Sequence, residues 1–274
     1  LGAGNGEMLF QILRTSKKFE GFLNSFDFFI FEKSKYLKKI QQKKLSDYDV
    51  NWIHELSEIP NSPTIFIANE FFDALPIKQF TKIKGIWYEK YVKSENKKII
   101  FINKKINMKK IENKFGIKIS KNQTFIEFSP LAYNLLKKIS NIIKNKNGGL
   151  LIIDYGTIEK KMKNTLQAIK NHKKVNLLNQ YQEVDITYNL NFELIKKIIK
   201  KFDLSLNGYT NQRKFLINLG ILNRAEILAK NLKFSEKANI YTRLTRLIDN
   251  KLMGDLFKVA FISKKKDKFK VGFK

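Results

Sequence analysis

The chain contains no cysteine. That excludes a disulfide framework, a thiolate metal centre and a cysteine nucleophile. Histidine is almost as scarce: His54 and His172 are the only two in 274 residues, too few and too far apart for a histidine-rich metal site. No metal is therefore expected. No apolar run reaches the eighteen residues that a membrane-spanning helix requires. Acids are outnumbered, with Asp and Glu totalling 25 against 53 Lys and Arg, a net charge of +28. Such a charge invites a nucleic-acid partner. Yet the excess is mostly lysine, is spread along the chain, and comes with abundant Ile and Asn, as the codons of an A/T-rich coding sequence would produce. There is no arginine-rich arm and no repeated basic-aromatic motif of the kind that stacks bases. The lysine-rich stretches 97–121 and 264–274 read as solvated faces and a tail, so nucleic acid is disfavoured, while an acidic protein partner stays compatible.

What is present suits a large α/β domain: 274 residues, 43% hydrophobic, can bury a sizeable core. The organising stretch is 64–77. Residues 65–68 are an unbroken apolar run after Pro63, the pattern of a strand buried on both faces of a parallel sheet. Asn69, Glu70 and Asp73 follow it, where open α/β sheets bind ligands, outside the carboxyl ends of their strands. Phe71 and Phe72 between the acids favour a turn held against the protein over a solvated loop, and Pro76 stops that turn from running on as a helix.

The chain opens on Leu1-Gly2-Ala3-Gly4-Asn5-Gly6, after which Met8, Leu9, Ile12 and Leu13 have amphipathic helical spacing. A glycine loop opening a helix normally follows the first strand of the sheet, so that strand is expected before Leu1. Glu7 fills the third glycine position of the dinucleotide fingerprint and would repel a phosphate on the helix dipole. Gly2, Gly4 and Gly6 instead suit backbone approach to a phosphate-free ligand, such as the methionine part of S-adenosylmethionine. A strand over 26–31 ends at Glu32, placed to accept hydrogen bonds from ribose hydroxyls, and a lysine-rich helix follows from Ser34. Val50, Trp52 and His54 alternate through a third strand, in which Trp52 either flanks an adenine or fills core. Further strands are expected within 78–104, at 150–153 ending on Asp154, at 204–210 and at 256–263. Ser129 and Pro130 should cap a helix carrying Leu135, Leu136, Ile139, Ile142 and Ile143.

These residues carry a family resemblance. The loop 1–6, Phe31-Glu32-Lys33-Ser34 and above all Ala68-Asn69-Glu70-Phe71-Phe72-Asp73-Ala74-Leu75-Pro76 resemble the S-adenosylmethionine-dependent protein arginine methyltransferases that assist assembly of mitochondrial complex I, with their bacterial relatives. Glu127-Phe128-Ser129-Pro130, Asp154-Tyr155-Gly156, Thr165-Leu166-Gln167-Ala168 with His172, and Asp185-Ile186-Thr187 continue the match in order. The chain departs from the pattern at Ala3, Asn5, Asn164, Tyr181-Gln182 and Arg213, which bears on loop geometry and substrate choice.

The resemblance implies a Rossmann-like class I methyltransferase: a mostly parallel sheet, helices on both faces, a truncated first strand and a partly helical insertion. It would be one domain over 1–274, with a β-rich insertion at 78–104 and a mixed helical cap at 157–250. S-adenosyl-L-methionine is the implied cofactor, with Gly2, Gly4, Gly6, Glu32, Trp52 and Asn69 as its site. An arginine guanidinium stays protonated, so its methylation calls for carboxylates that hold the planar fork. Glu70 and Asp73 are assigned to that clamp, with Asp154, Tyr155 and His172 as substrate-positioning groups. The implied partner is a protein bearing the acceptor arginine, and a homodimer stays open. The compartment would be the mitochondrial matrix in a eukaryote or the cytoplasm in a bacterium. Two alternatives remain: a nucleic-acid methyltransferase, and a non-catalytic assembly or binding protein that retains the fold.

Overall fold

The computed structural model describes residues 1–95, 98–170, 173–178, 184–267 and 269–274. In chain order the first elements are α1 (Glu7–Ser16), β1 (Phe28–Phe31), α2 (Lys35–Lys44), β2 (Val50–Ile53) and β3 (Thr64–Asn69). Then come β4 (Lys78–Ile83), β5 (Ile86–Glu95), β6 (Lys98–Lys105), α3 (Met108–Phe115), β7 (Phe125–Phe128), α4 (Pro130–Lys146) and β8 (Gly148–Thr157). The remainder holds β9 (Gln167–Lys170), β10 (Lys173–Val175), β11 (Asp185–Thr187), β12 (Leu190–Asn191), α5 (Phe192–Lys201) and β13 (Leu204–Asn211). Helices α6 (Gln212–Asn218), α7 (Ile221–Ala229), α8 (Phe234–Ile248) and α9 (Met253–Leu256) lead into β14 (Phe257–Lys264).

The central sheet is built around β8. It pairs in parallel with β3 and β12 and antiparallel with β14, which in turn pairs antiparallel with β13. Within this sheet β14 alone runs against the rest. β1 and β2 form a separate parallel pair. The Gly2 amide donates to Phe31 O at 3.0 Å and the Leu1 nitrogen donates to Ile67 O at 2.8 Å. The first two residues therefore tie the carboxyl ends of β1 and β3 together, and Glu32, the glycine loop and Asn69 share one edge of the fold.

Alternation along β1 sends neighbouring side chains to opposite faces. Ile30 joins Leu13, Leu45 and Val50 on the face covered by α1 and α2. Phe31 joins the larger cluster with Phe66, Ala68, Ile152, Leu136, Ile139 and Ile199, under α4 and α5. Helices thus cover both faces. Ser129 caps α4 by accepting from the Ala132 amide, with Pro130 in the first turn, as the sequence predicts. β1 starts two residues later than expected, because Leu23–Ser25 form a 3₁₀ turn that ends at Phe26. β2 likewise ends at Ile53 and leaves His54 outside it.

Residues 78–128 contribute a second, antiparallel sheet in the order β6-β5-β4-β7. Residues 158–187 carry the small sheet β10-β9-β11. Residues 190–211 return to the central sheet through β12, α5 and β13, and 212–256 are helical.

Candidate active site

The turn after β3 is braced from beneath. Asp154, at the matching end of β8, is 0% exposed. One carboxylate oxygen accepts from the Phe72 and Asp73 amides at 3.1 and 3.3 Å, and the other accepts from the Tyr155 amide at 2.9 Å. One side chain thus satisfies two backbone donors of the turn and one of β8. Asp154, expected to position substrate, is engaged in holding the turn.

Glu70 sits at the tip. Its amide donates to Ile153 O at 3.0 Å, its side chain is exposed, and its φ of 47° lies in the left-handed region that non-glycine residues rarely occupy. Asn69 lies beside it, with Nδ2 3.4 Å from a Glu70 carboxylate oxygen. Asp73 differs from Glu70, being 4% exposed with its Oδ1 buried and without a hydrogen-bond partner. Of the two carboxylates expected to form the clamp, Glu70 is exposed and Asp73 lies buried under the turn beside the fully buried Phe72. Burial and then the charge of Glu70 push the Asp73 carboxyl above the usual carboxylate range. Burial and then Asp73 do the same to Asp154. Two facing carboxyls in a desolvated place cannot both ionise cheaply.

Tyr155 stacks on Phe257 with ring centroids 4.1 Å apart, and burial followed by the charges of Glu70, Asp73 and Asp154 raises its hydroxyl to about 12. It therefore adjoins the acidic turn. His172 lies outside the described residues, as do Tyr181 and Gln182. Asn164 accepts from Gln79 at 2.7 Å, and Gln79 also donates to Glu127 at 2.8 Å. Glu127 is buried and accepts from the Thr165 and Leu166 amides, which anchors the segment entering β9.

The glycine loop reaches the same turn from the other side. A Cβ on Gly2 would fall 2.6 Å from the Phe71 ring, and Gly2 has a φ of +57°, so glycine is required there on both counts. Gly4 is exposed, with nothing within 4 Å of a Cβ, and Gly6 forms the N-cap of α1. Glu32 is 9% exposed. Its oxygens accept from the Ser34 amide at 2.9 Å and from Gln41 Nε2 at 3.0 Å. Trp52 is half-buried and donates its indole N–H to Gln41 Oε1 at 2.9 Å. Gln41 is the residue that sequence reasoning missed. Its signal was a polar side chain on the apolar stripe of a lysine-rich helix, in line with Leu37 and Leu45.

A cavity of about 190 Å³ opens behind Phe72, lined by Phe128, Ala132, Tyr188, Leu194 and Ile198 among others. Gly2, Gly4, Glu32 and Glu70 do not line it, so it is distinct from the loop-and-turn cleft. Among the described residues no cluster of His, Asp and Glu is arranged to hold a metal ion.

Known proteins share the family and the fold. A sequence profile described as "Putative S-adenosyl-L-methionine-dependent methyltransferase" matches residues 1–210. The zebrafish (Danio rerio) "Protein arginine methyltransferase NDUFAF7, mitochondrial" is 26% identical over 283 residues, covering 94% of this chain and 66% of the relative. The Caenorhabditis elegans homologue is 29% identical over 222 residues, covering 79% of this chain and 50% of the relative. The chain thus spans half to two thirds of the length of these relatives. Two solved structures from Burkholderia thailandensis share the fold at 20% identity. One, bound to S-adenosyl-homocysteine, has a TM-score of 0.77 and covers 97% of this chain and 70% of its own. The other has a TM-score of 0.79 and covers 99% and 75%. With the profile spanning most of the chain and the fold shared throughout, the chain belongs to this family of S-adenosyl-L-methionine-dependent methyltransferases.

Proposed function

We propose that the chain methylates arginine side chains of a protein substrate, using S-adenosylmethionine held over the glycine loop. The contact between Gly2 and Phe71 carries this reading. It sets the loop assigned to the cofactor directly against the turn assigned to the acceptor. The residues fit such a ligand: Gly4 leaves open space, and each Glu32 oxygen has one protein donor, leaving acceptor capacity for ribose hydroxyls. The arginine assignment is supported by the names of the relatives.

The cofactor supplies an electrophilic methyl group. Glu70, exposed at the tip, accepts two guanidinium N–H bonds and orients the planar fork, a charge-assisted contact. Asp73 acts from beneath, its negative charge favouring a cationic side chain over a neutral one. Most of the acceleration comes from alignment, since holding the reacting atoms at about 3 Å removes several kcal/mol of entropic barrier. The acceptor nitrogen would take the methyl group from the sulfonium, leaving S-adenosylhomocysteine, and the guanidinium proton released would pass to the exposed Glu70 carboxylate and on to solvent. Tyr155 borders the acceptor. The small sheet of residues 158–187 and the helices 212–256 are assigned to the substrate-facing lobe. The compartment is proposed to be the mitochondrial matrix in a eukaryotic source or the cytoplasm in a bacterial one. Among the described residues no helix is long and apolar enough to cross a membrane.

Paired kinetics and binding test the assignment. Glu70→Gln should reduce methyl transfer at least tenfold while cofactor affinity stays near wild type, since a hydrogen bond to a charged group is worth roughly 1.5–3 kcal/mol. Asp73→Asn should reduce transfer by a smaller factor. Wild-type turnover in the Glu70 variant would remove Glu70 from the reaction.

A further inference from the structure

Gln41 is 0% exposed on a helix whose sequence, KYLKKIQQKK, is otherwise rich in lysine. Both ends of its amide are engaged. Nε2 donates to Gly4 O at 2.7 Å and to Glu32 Oε2 at 3.0 Å, and Oε1 accepts from Trp52 Nε1 at 2.9 Å. The orientation is unambiguous, because an indole N–H only donates, while a peptide carbonyl and a carboxylate only accept. Three residues from three separate parts of the chain therefore converge on one side chain: Gly4 in the loop, Glu32 after β1 and Trp52 in β2.

We infer that Gln41 is a positioning residue of the cofactor site, fixing in one geometry the loop carbonyl, the carboxylate and the indole that surround the nucleoside. The inference rests on the assignment of Gly4, Glu32 and Trp52 to the cofactor. Each partner has a motion that Gln41 removes. Gly4 has a φ of +55° and no packing around a Cβ to hold its peptide in place. Glu32 has its other oxygen tied to the Ser34 amide, so the Gln41 bond fixes the second oxygen and with it the plane of the carboxylate. Trp52 is half-buried, and the N–H bond orients its ring. The anchor itself is rigid: Ser34 caps α2 by accepting from the Leu37 amide at 3.2 Å, and Leu45 beyond the helix is 1% exposed. Groups that hold binding residues are most effective when they stand on such an element.

A double-mutant cycle on the intact protein distinguishes positioning from general packing. Cofactor affinity would be measured by titration calorimetry with S-adenosylmethionine for wild type, Gln41→Met, Glu32→Ala and the double variant. Methionine preserves the volume and helical preference of glutamine but none of its hydrogen bonds. Gln41→Met should weaken binding about tenfold, the scale of one charge-assisted hydrogen bond, and by a clearly smaller factor when Glu32 is already alanine, because only the routes through Gly4 and Trp52 then remain. Trp52→Phe, which frees Oε1 while keeping an aromatic ring, should weaken binding by a smaller factor, and it serves if Gln41→Met does not fold. Wild-type affinity in both the Gln41 and Trp52 variants would overturn the inference. So would an equal loss with and without Glu32, the mark of packing alone. If Glu32→Ala binds as tightly as wild type, the cofactor-site assignment itself fails, and this inference with it.

Discussion

At the scale of single residues, the facing carboxyls of Asp73 and Asp154 make the site sensitive to pH. Both are held above the ordinary carboxylate range by burial first and by a neighbouring negative charge second. The folded state therefore binds more protons than the unfolded chain once the pH exceeds about 4. Stability contributed by this pair is complete in acid and is lost as pH rises through the folded-state values. With the role proposed for Asp73, methyl transfer should run the other way, because its carboxyl would favour a guanidinium only when ionised. Thermal melting and initial rates across pH 5 to 8 should show stability falling as activity rises, and Asp73→Asn should flatten the melting trend. The two ionisations belong to the pair, so two steps are expected rather than one per residue. A melting trend identical in wild type and Asp73→Asn would contradict the coupling. Much of this turn was legible in the sequence, since an apolar run followed by Asn69, Glu70 and Asp73 marks a strand end facing a cleft. The split between exposed Glu70 and buried Asp73 was not. It depends on Asp154, eighty residues away in sequence, drawing the Phe72 and Asp73 amides down onto β8.

At the scale of elements, the glycine loop and the acidic turn behave as one unit because Gly2 packs on Phe71. Gly4 has a similar positive φ but no such neighbour. Gly4→Ala should therefore cost only the left-handed backbone strain, about 1 kcal/mol. Gly2→Ala should cost more stability, because the Phe71 ring must move and the turn moves with it. Denaturant unfolding of the two variants makes the comparison, and equal losses of stability would contradict the shared unit. The loop was readable from its glycine spacing, whereas Gln41 was hidden by its surroundings. A helix with lysines along most of its length advertises a solvated face, and only the i, i+4, i+8 line of Leu37, Gln41 and Leu45 marks the buried side. Residues 190–211 were similarly opaque as to their place, since β13 finds its partner in β14 only beyond the helices α6 to α9.

At the scale of the molecule, the net charge of +28 would draw any polyanion to the surface, whatever the chemistry at the cleft. Affinity for nucleic acid is thus a poor guide to function, and the product of the reaction is a better one. The intact protein would be incubated with methyl-labelled S-adenosylmethionine and a cell extract, with and without nuclease. The products would then be hydrolysed and their amino acids separated. Label is expected in protein, resistant to nuclease and recovered as methylarginine, with its incorporation reduced at least tenfold by Glu70→Gln. Label in nuclease-sensitive material, or methylarginine formed at the wild-type rate by the Glu70 variant, would contradict that expectation.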